Sequence, residues 1–339
     1  MAEHRDVIAV GASAGGVEAL RALVSGLPAD YPGAVLVVLH IPREAPSALP
    51  SILGRSGPLP AATARDGEAL KPGRIYVAPN DHHLLLIDGH VRLTRGPAEN
   101  GHRPAIDPLF RSVARAAGRR AVGVVLSGTR DDGAAGLVSI TQRGGAAMVQ
   151  DPSDALYPHM PRAALSLVSA EHVAPAAKLG GLIAEITAMD LPNVPADVDD
   201  AMLNAEVAMS ELGSLTTEDL GLPAAGYGCP ACGGGLFEVS DDPVPRYRCR
   251  VGHAWSPESL LEEQAVALEG ALWMALRALE EKSALSLRMA GVPHRHAATR
   301  TRFRELAADA DTAGEAIRHL IARLGASTVR PEDGSPSTH

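Results

Sequence analysis

The sequence predicts a doubly wound α/β domain with a mostly parallel sheet, followed by a small metal-binding module and a helical hairpin. Three observations carry this reading. From residue 5 to about 175, short β-branched runs alternate with Ala-rich stretches of helical periodicity. Aromatic residues make up 3% of the chain while Ala and Gly are abundant, which favours close-packed helices and strands over an aromatic-rich all-β design. All three cysteines fall between 229 and 249, so any cysteine chemistry is local.

In chain order, "DVIAVG" reads as the first strand and "GVEALRALVSGL" as the helix behind it. "AVLVVLH" (34–40) is the second strand, followed by the helical "SALPSILGRS". "RIYVAP" (74–79), "AVGVVLSG" (121–128) and "AAMVQD" (146–151) continue the set. Near-continuous apolar strands are buried on both faces, as in a parallel sheet covered by helices, a Rossmann-like three-layer arrangement. "HLLLIDGHVRLT" (83–94) differs, because Asp88-Gly89 between alternating runs signals a hairpin and hence an antiparallel excursion. We expect this catalytic-type domain over residues 1–190. Residues 191–225 turn to Pro, Asp and Ala around one weakly helical stretch, "ADVDDAMLNAEVAMSELG", and read as a linker. A Cys- and Gly-rich module follows at 226–256. Ser256 before Pro257 is a good N-cap and first-turn pair for a long helix that "GVP" (291–293) stops. A second helix over 297–324 completes a hairpin spanning 257–325, and 326–339 reads as a disordered tail.

A net charge of −9 argues against a basic face that grips nucleic acid. No run approaches the roughly 18 apolar residues of a membrane span, so no membrane insertion is expected. The start "MAEHRDVIAVGASAGG" mixes acids with bases and does not read as a signal peptide. Three clustered cysteines do not make a disulfide framework, and a cytoplasmic setting is expected.

The first strand ends in "GASAGG" (11–16), with Ser13 just before a helix. In open α/β sheets, chemistry gathers at the carboxyl ends of strands. Gly11 to Gly15 fits G-x-S-x-G, a turn that can expose a nucleophilic hydroxyl beside helix amides. The turn alone fits a helix-capping serine equally well. A dinucleotide cradle fits less well: Ser13 replaces the middle glycine of G-x-G-x-x-G, and the second strand ends in His40 rather than an acid. No tyrosine has a lysine four residues on, which weakens a nicotinamide oxidoreductase. His40 can serve Ser13 as general base, or be an ordinary histidine at a strand end. Asp131 and Asp132, after another buried strand, can orient the imidazole or cap the next helix.

Taken together, "VIAVGASAGGVEAL", "LHIP", "GHRPAIDPLF", "VVLSGTRDDGAAGL" and "MPRAAL" resemble the catalytic domain of CheB-type chemoreceptor-glutamate methylesterases over roughly residues 5 to 185. The resemblance implies Ser13 as nucleophile, His40 as base and Asp132, which directly precedes Gly133, as orienting acid. It further implies an oxyanion and substrate region at Ala14, Gly128 and Thr129, with Arg103 in the "HRPAIDPLF" segment near the substrate cleft. The implied reaction is hydrolysis of glutamate γ-methyl esters on the cytoplasmic helices of methyl-accepting chemoreceptors. Deamidation of glutamine by the same attack is implied too, with no cofactor for catalysis and the receptor methyltransferase as a pathway partner. Two features depart from the family's pattern. The phosphoacceptor receiver domain with which the usual member begins is not expected here, and the charged "TRDD" replaces a more neutral loop. A catalytically inactive adaptor binding partners through the C-terminal half is the second reading, though it has no need of Ser13, His40 and Asp132 together.

Cys229-x2-Cys232 and Cys249-x3-His253 have the spacing of two chelating knuckles. Three thiolates and one imidazole suit a closed tetrahedral zinc, structural in role, that would stabilise a segment too small to bury a core. Zinc is favoured over three free thiols because every cysteine of the chain takes part. The expected role of the module and hairpin is to dock on receptors or to cover the Ser13 cleft.

Overall fold

A computed structural model describes residues 4–44, 47–191, 200–211, 221–241, 244–293 and 296–327. It divides into two compact units, Met1–Leu260 and Leu261–His339.

In the first unit, β1 (Val7–Ala12), α1 (Gly16–Ser25), β2 (Ala34–Leu39), α2 (Leu49–Ser56), β3 (Ala61–Thr63) and β4 (Arg74–Val77) form one half of a sheet. A hairpin of β5 (His83–Ile87) and β6 (His90–Thr94) precedes α3 (Ile106–Ala117) and β7 (Ala121–Val125). Then come α4 (Ala134–Gln142), β8 (Ala146–Gln150), α5 (His159–Leu167), β9 (His172–Ala174), α6 (Ala176–Thr187) and α7 (Ala201–Ser210). The sheet has seven strands in the order β3-β4-β2-β1-β7-β8-β9, and every pairing is parallel. The period-2 geometry of the strands divides the core in two. Ile8, Val10 and Ala12 pack with Leu20 and Leu23 of α1, Leu53 of α2 and Ile183 of α6, whereas Val7 and Ala9 join Ile106 and Phe110 of α3 and Leu137 of α4. Each such fully buried large side chain contributes about 1.5–3 kcal/mol relative to exposure.

The chain runs outward from β1 through β2 and then returns through α3 to lay β7 on the other side of β1. That reversal makes a crevice beyond the carboxyl ends of β1 and β7, the place where this class of sheet binds ligands. The hairpin turns at Asp88 (φ 47) and Gly89 (φ 73), the paired left-handed residues of a tight two-residue turn. It forms its own two-stranded ladder rather than an edge of the main sheet. Its place is on α3, where Leu84 and Leu86 join the α3 core and Leu86 N–H donates to Ser112 Oγ at 3.0 Å.

The weakly helical stretch contains α7, capped by Asp200, whose Oδ1 accepts from Leu203 N–H at 2.9 Å. It buries Leu203 and Val207 in the α3 core. Residues 192–199 and 212–220 of the expected linker, and 328–339 of the expected tail, lie outside the described residues.

Strands β10 (Ala224–Gly228), β11 (Gly235–Asp241), β12 (Val244–Cys249) and β13 (Ala254–Trp255) make an antiparallel ribbon, still within the first unit. Its small core is Cys229, Leu236, Cys249, Trp255 and Leu260. Helix α8 (Pro257–Ala290) starts at Ser256, whose Oγ accepts from Ser259 N–H at 3.1 Å, the capping expected from the sequence. The second unit holds the rest of α8 and α9 (Ala297–Ser327), burying Leu276, Ala307 and Ala310, with Arg318 paired to Glu280 at 2.5 Å. Among the described residues no helix is long and apolar enough to cross a membrane.

Candidate active site

Ser13, His40 and Asp132 follow β1, β2 and β7, three adjacent strands that end at the crevice. His40 Nδ1 lies 3.2 Å from Ser13 Oγ, and His40 Nε2 lies 2.8 Å from Asp132 Oδ2. A carboxylate only accepts, so the imidazole proton sits on Nε2 and the Nδ1 lone pair faces the serine hydroxyl. The Ser13 turn is pinned to β7's extension, since Ser13 N–H donates to Ser127 O at 2.9 Å. Its left-handed residue is Gly15 (φ 70), where a Cβ would meet Ser127 Oγ at 2.7 Å. Ser13 is not among the residues of positive φ, so the glycine rather than the serine takes up the sharpness of the bend.

Asp132 is fully enclosed, at 1% exposure, and accepts three bonds besides that of His40. Ile106 N–H reaches Oδ2 at 2.7 Å, while Asn100 Nδ2 and Asp107 N–H reach Oδ1 at 3.0 and 3.2 Å. Burial acts to raise its pKa, but the His40 bond and charge and the Ile106 amide outweigh burial and hold the carboxyl well below its usual range. The carboxyl therefore stays ionised beside the imidazole. Asp131 turns the other way and accepts from Ser256 Oγ and Ser259 Oγ, both at 2.8 Å.

The expected oxyanion and substrate residues are disposed unevenly. Ala14 sits in the turn beside Ser13, at the start of α1. Gly128 packs so tightly that a Cβ would lie 2.9 Å from that of Ser13, but its N–H already donates to Tyr157 O at 2.9 Å. Thr129 is exposed at the rim. Arg103 is committed elsewhere: its Nε and terminal nitrogen donate to Asp81 Oδ1 at 2.9 and 2.6 Å, and its other nitrogen to Gly96 O at 2.7 Å. That guanidinium braces the loop before α3, with its side chain 13% exposed.

Several residues of the site were not singled out by sequence reasoning. His102 stacks flat on His40, with ring centroids 3.7 Å apart and planes 14° from parallel. Burial and then the nearby His40 push its pKa down to about 3, so it is a neutral plate against which the His40 ring rests. Asp107 accepts from the Gly133 and Gly136 amides at 3.1 and 2.7 Å, tying α3 to the start of α4. Burial and then the Asp132 charge push its carboxyl up to about 8. Behind these, Glu99 accepts from Arg111 at 2.5 Å and Arg248 at 2.9 Å, and Glu206 from Arg246 at 2.5 Å. Despite burial, Arg111 and Arg248 hold Glu99 down at about 2. The only sequence signal for His102 and Asn100 is their place in the "NGHRP" run before α3.

The ribbon brings Cys229, Cys232, Cys249 and His253 together, with all four ligand atoms within 4.8 Å of one another. Cys232 Sγ lies 3.7 Å from Cys249 Sγ, and Cys249 Sγ 3.5 Å from His253 Nδ1. Tetrahedral zinc with Zn–S of about 2.3 Å requires S–S separations of about 3.8 Å. Trp255 Nε1–H donates to Cys229 Sγ at 3.4 Å. The donor set and spacing fit a closed structural metal site.

Residues 8–183 match the family model described as CheB methylesterase. A protein named "Protein-glutamate methylesterase/protein-glutamine glutaminase 2" from Xanthomonas oryzae pv. oryzae is 44% identical over 173 residues, 50% of this chain and 48% of its own length. One of the same name from Pseudomonas aeruginosa is 41% identical over 181 residues, 52% of each chain. The crystal structure of the Thermotoga maritima CheB methylesterase catalytic domain matches 55% of this chain and 99% of its own, with a TM-score of 0.52 and 29% identity. The chain spans about half the length of the curated relatives it matches, and the ribbon lies outside the matched range. A family match over more than half of the sequence, on a sheet whose switch point holds Ser13, His40 and Asp132, makes the chain a member of the CheB methylesterase family.

Proposed function

We propose that the protein is a protein-glutamate methylesterase that hydrolyses glutamate γ-methyl esters on chemoreceptor cytoplasmic helices, with Ser13, His40 and Asp132 as its catalytic triad. The observation that carries the reading is the continuous hydrogen-bonded chain from Ser13 Oγ through His40 to an ionised Asp132. Ser13 Oγ attacks the ester carbonyl while Nδ1 takes its proton, and Asp132 stabilises the imidazolium across Nε2. The oxyanion forms against the Ala14 and Thr129 amides, the Gly128 amide being used within the fold. Nδ1–H then protonates the methoxide oxygen as its bond to the carbonyl carbon breaks, so methanol leaves and an acyl-serine remains. Water, deprotonated by Nδ1, releases the glutamate and restores Ser13. A glutamine side chain would follow the same course with ammonia leaving, which supports glutaminase activity as a second reaction.

No cofactor takes part in these steps. Zinc held by Cys229, Cys232, Cys249 and His253 would be structural, and a cytoplasmic setting accords with a substrate on the cytoplasmic helices of receptors. The test is methanol release from a methylated receptor fragment. Ser13→Ala is expected to reduce it at least about 10^4-fold; a variant that kept the wild-type rate would sink the proposal.

A further inference from the structure

We infer that the metal-holding ribbon is a clamp that positions the acid of the triad, acting through Asn100 and through Asp131. The activity arm of this inference rests on the esterase reading above. Asn100 is 3% exposed and sits in the left-handed region (φ 50) between the hairpin and α3. Its Nδ2 donates to Asp132 Oδ1 and to Asp107 Oδ2, both at 3.0 Å. Its Oδ1 accepts from Ser256 N–H at 2.9 Å. Flipping the amide would set an oxygen against two carboxyl groups and an NH2 against an N–H. Ser256 therefore decides which end of Asn100 faces the acid.

The ribbon reaches this node three times. Asn100 N–H donates to Ala254 O at 2.8 Å, and Ala254 pairs with Glu99 in a short parallel bridge. Arg248 reaches Glu99 at 2.9 Å from β12. Ser256 and Ser259 hold Asp131, the residue before the acid. On the ribbon's side, Arg248 precedes the ligand Cys249, and Ala254 follows the ligand His253. Fixing the ligands fixes both contacts. The ribbon's own core is small, and two of its five residues are themselves ligands. Glu99, Asn100 and Asp131 lie within the family-matched range while Arg248, Ala254 and Ser256 lie outside it. The clamp is thus an addition of this chain to the family's domain, and it supports the acid from behind.

The experiment compares the full-length zinc-loaded protein, the same protein stripped with a chelator, and Asn100→Ala. Two quantities are read: kcat and KM on a methylated receptor fragment, and the strongly downfield proton resonance of the His40–Asp132 hydrogen bond. Stripping and Asn100→Ala should each lower kcat on the order of 10- to 100-fold with KM within about twofold. Each should also shift or broaden away the downfield proton. Added zinc should restore both in the stripped wild type and neither in Asn100→Ala. If stripping unfolds the chain, Ser256→Ala combined with Ser259→Ala keeps the metal, frees Asp131 and should still lower kcat about tenfold. An unaltered downfield proton and kcat in stripped protein, or in both sets of variants, overturns the clamp. Should the wild type hydrolyse no methyl ester at all, the esterase reading fails while the proton resonance still decides the clamp.

Discussion

The sheet domain and the ribbon are stabilised by different physics. In the sheet domain, two apolar clusters cover the faces of seven parallel strands, so side-chain volume and period-2 alternation specify the packing. The ribbon has five buried core residues, and its seam against the domain is ionic: Glu99 and Glu206 face Arg111, Arg246 and Arg248, all buried. A seam of this kind is exact in geometry and costly to disturb, because removing one charge strands the others in a medium that cannot solvate them. The proposed triad therefore rests on two supports that fail under different conditions.

The comparison can be sharpened first at the paired aspartates. Asp132→Asn should lower kcat on the order of 10^4-fold by disturbing the imidazole's proton placement. Asp131→Asn, whose carboxyl accepts from Ser256 and Ser259 rather than from His40, should cost far less; equal losses would show that both carboxylates serve the base. The next effect is on stability. Glu99→Gln should destabilise by about 3–5 kcal/mol in denaturant titrations near neutral pH, similar to the roughly 2–5 kcal/mol expected for Leu20→Ala in the apolar core. Acid separates the two. Glu99 has a folded pKa of about 2, below its unfolded value, so its contribution is present above roughly pH 4.5 and is lost as pH falls toward 2. The Glu99→Gln penalty should shrink over that window while the Leu20→Ala penalty persists, and parallel behaviour would refute the ionic account of the seam.

A more gradual effect concerns His102. Its folded pKa of about 3 lies below the unfolded value near 6.5, so the stability it lends is complete above about 6.5 and is lost as pH falls toward 3. His102→Phe keeps a ring beside His40 but cannot titrate. Its unfolding free energy should fall less steeply below pH 6, by about 1 kcal/mol per pH unit, and an unchanged slope would show that the stacked ring is not held neutral by burial.

The strands and principal helices were legible because the β-branched runs and three- to four-residue periodicities are local signals. Asp88-Gly89 likewise announced its turn. Short β3 and β9 carry too few residues to show a period. The hairpin's separate placement on α3 depends on Ser112 and on packing that no local pattern encodes. In the site, Ser13 and His40 stood out because each directly follows an apolar strand, whereas Asp132 lies seven residues beyond β7 and was distinguished from Asp131 only by the family resemblance. Asn100, His102 and Glu99 lie in a loop without periodicity, and their roles come from partners 30 to 150 residues away, as roughly measured by Asp132 and Arg248. The cysteine spacing predicted a ligand cluster, and nothing in it announced that the same module would hold Asn100.

His40 meets Ser13 through Nδ1, the ring nitrogen next to its own Cβ, and spends the outer nitrogen on Asp132. This orientation has a consequence for chemical probes. An electrophile anchored on the serine and built to alkylate the neighbouring imidazole would give the Nδ1-substituted histidine, with Nε2 shielded by the carboxylate. The isomer of alkylated histidine recovered from a digest would therefore report the ring's orientation in solution.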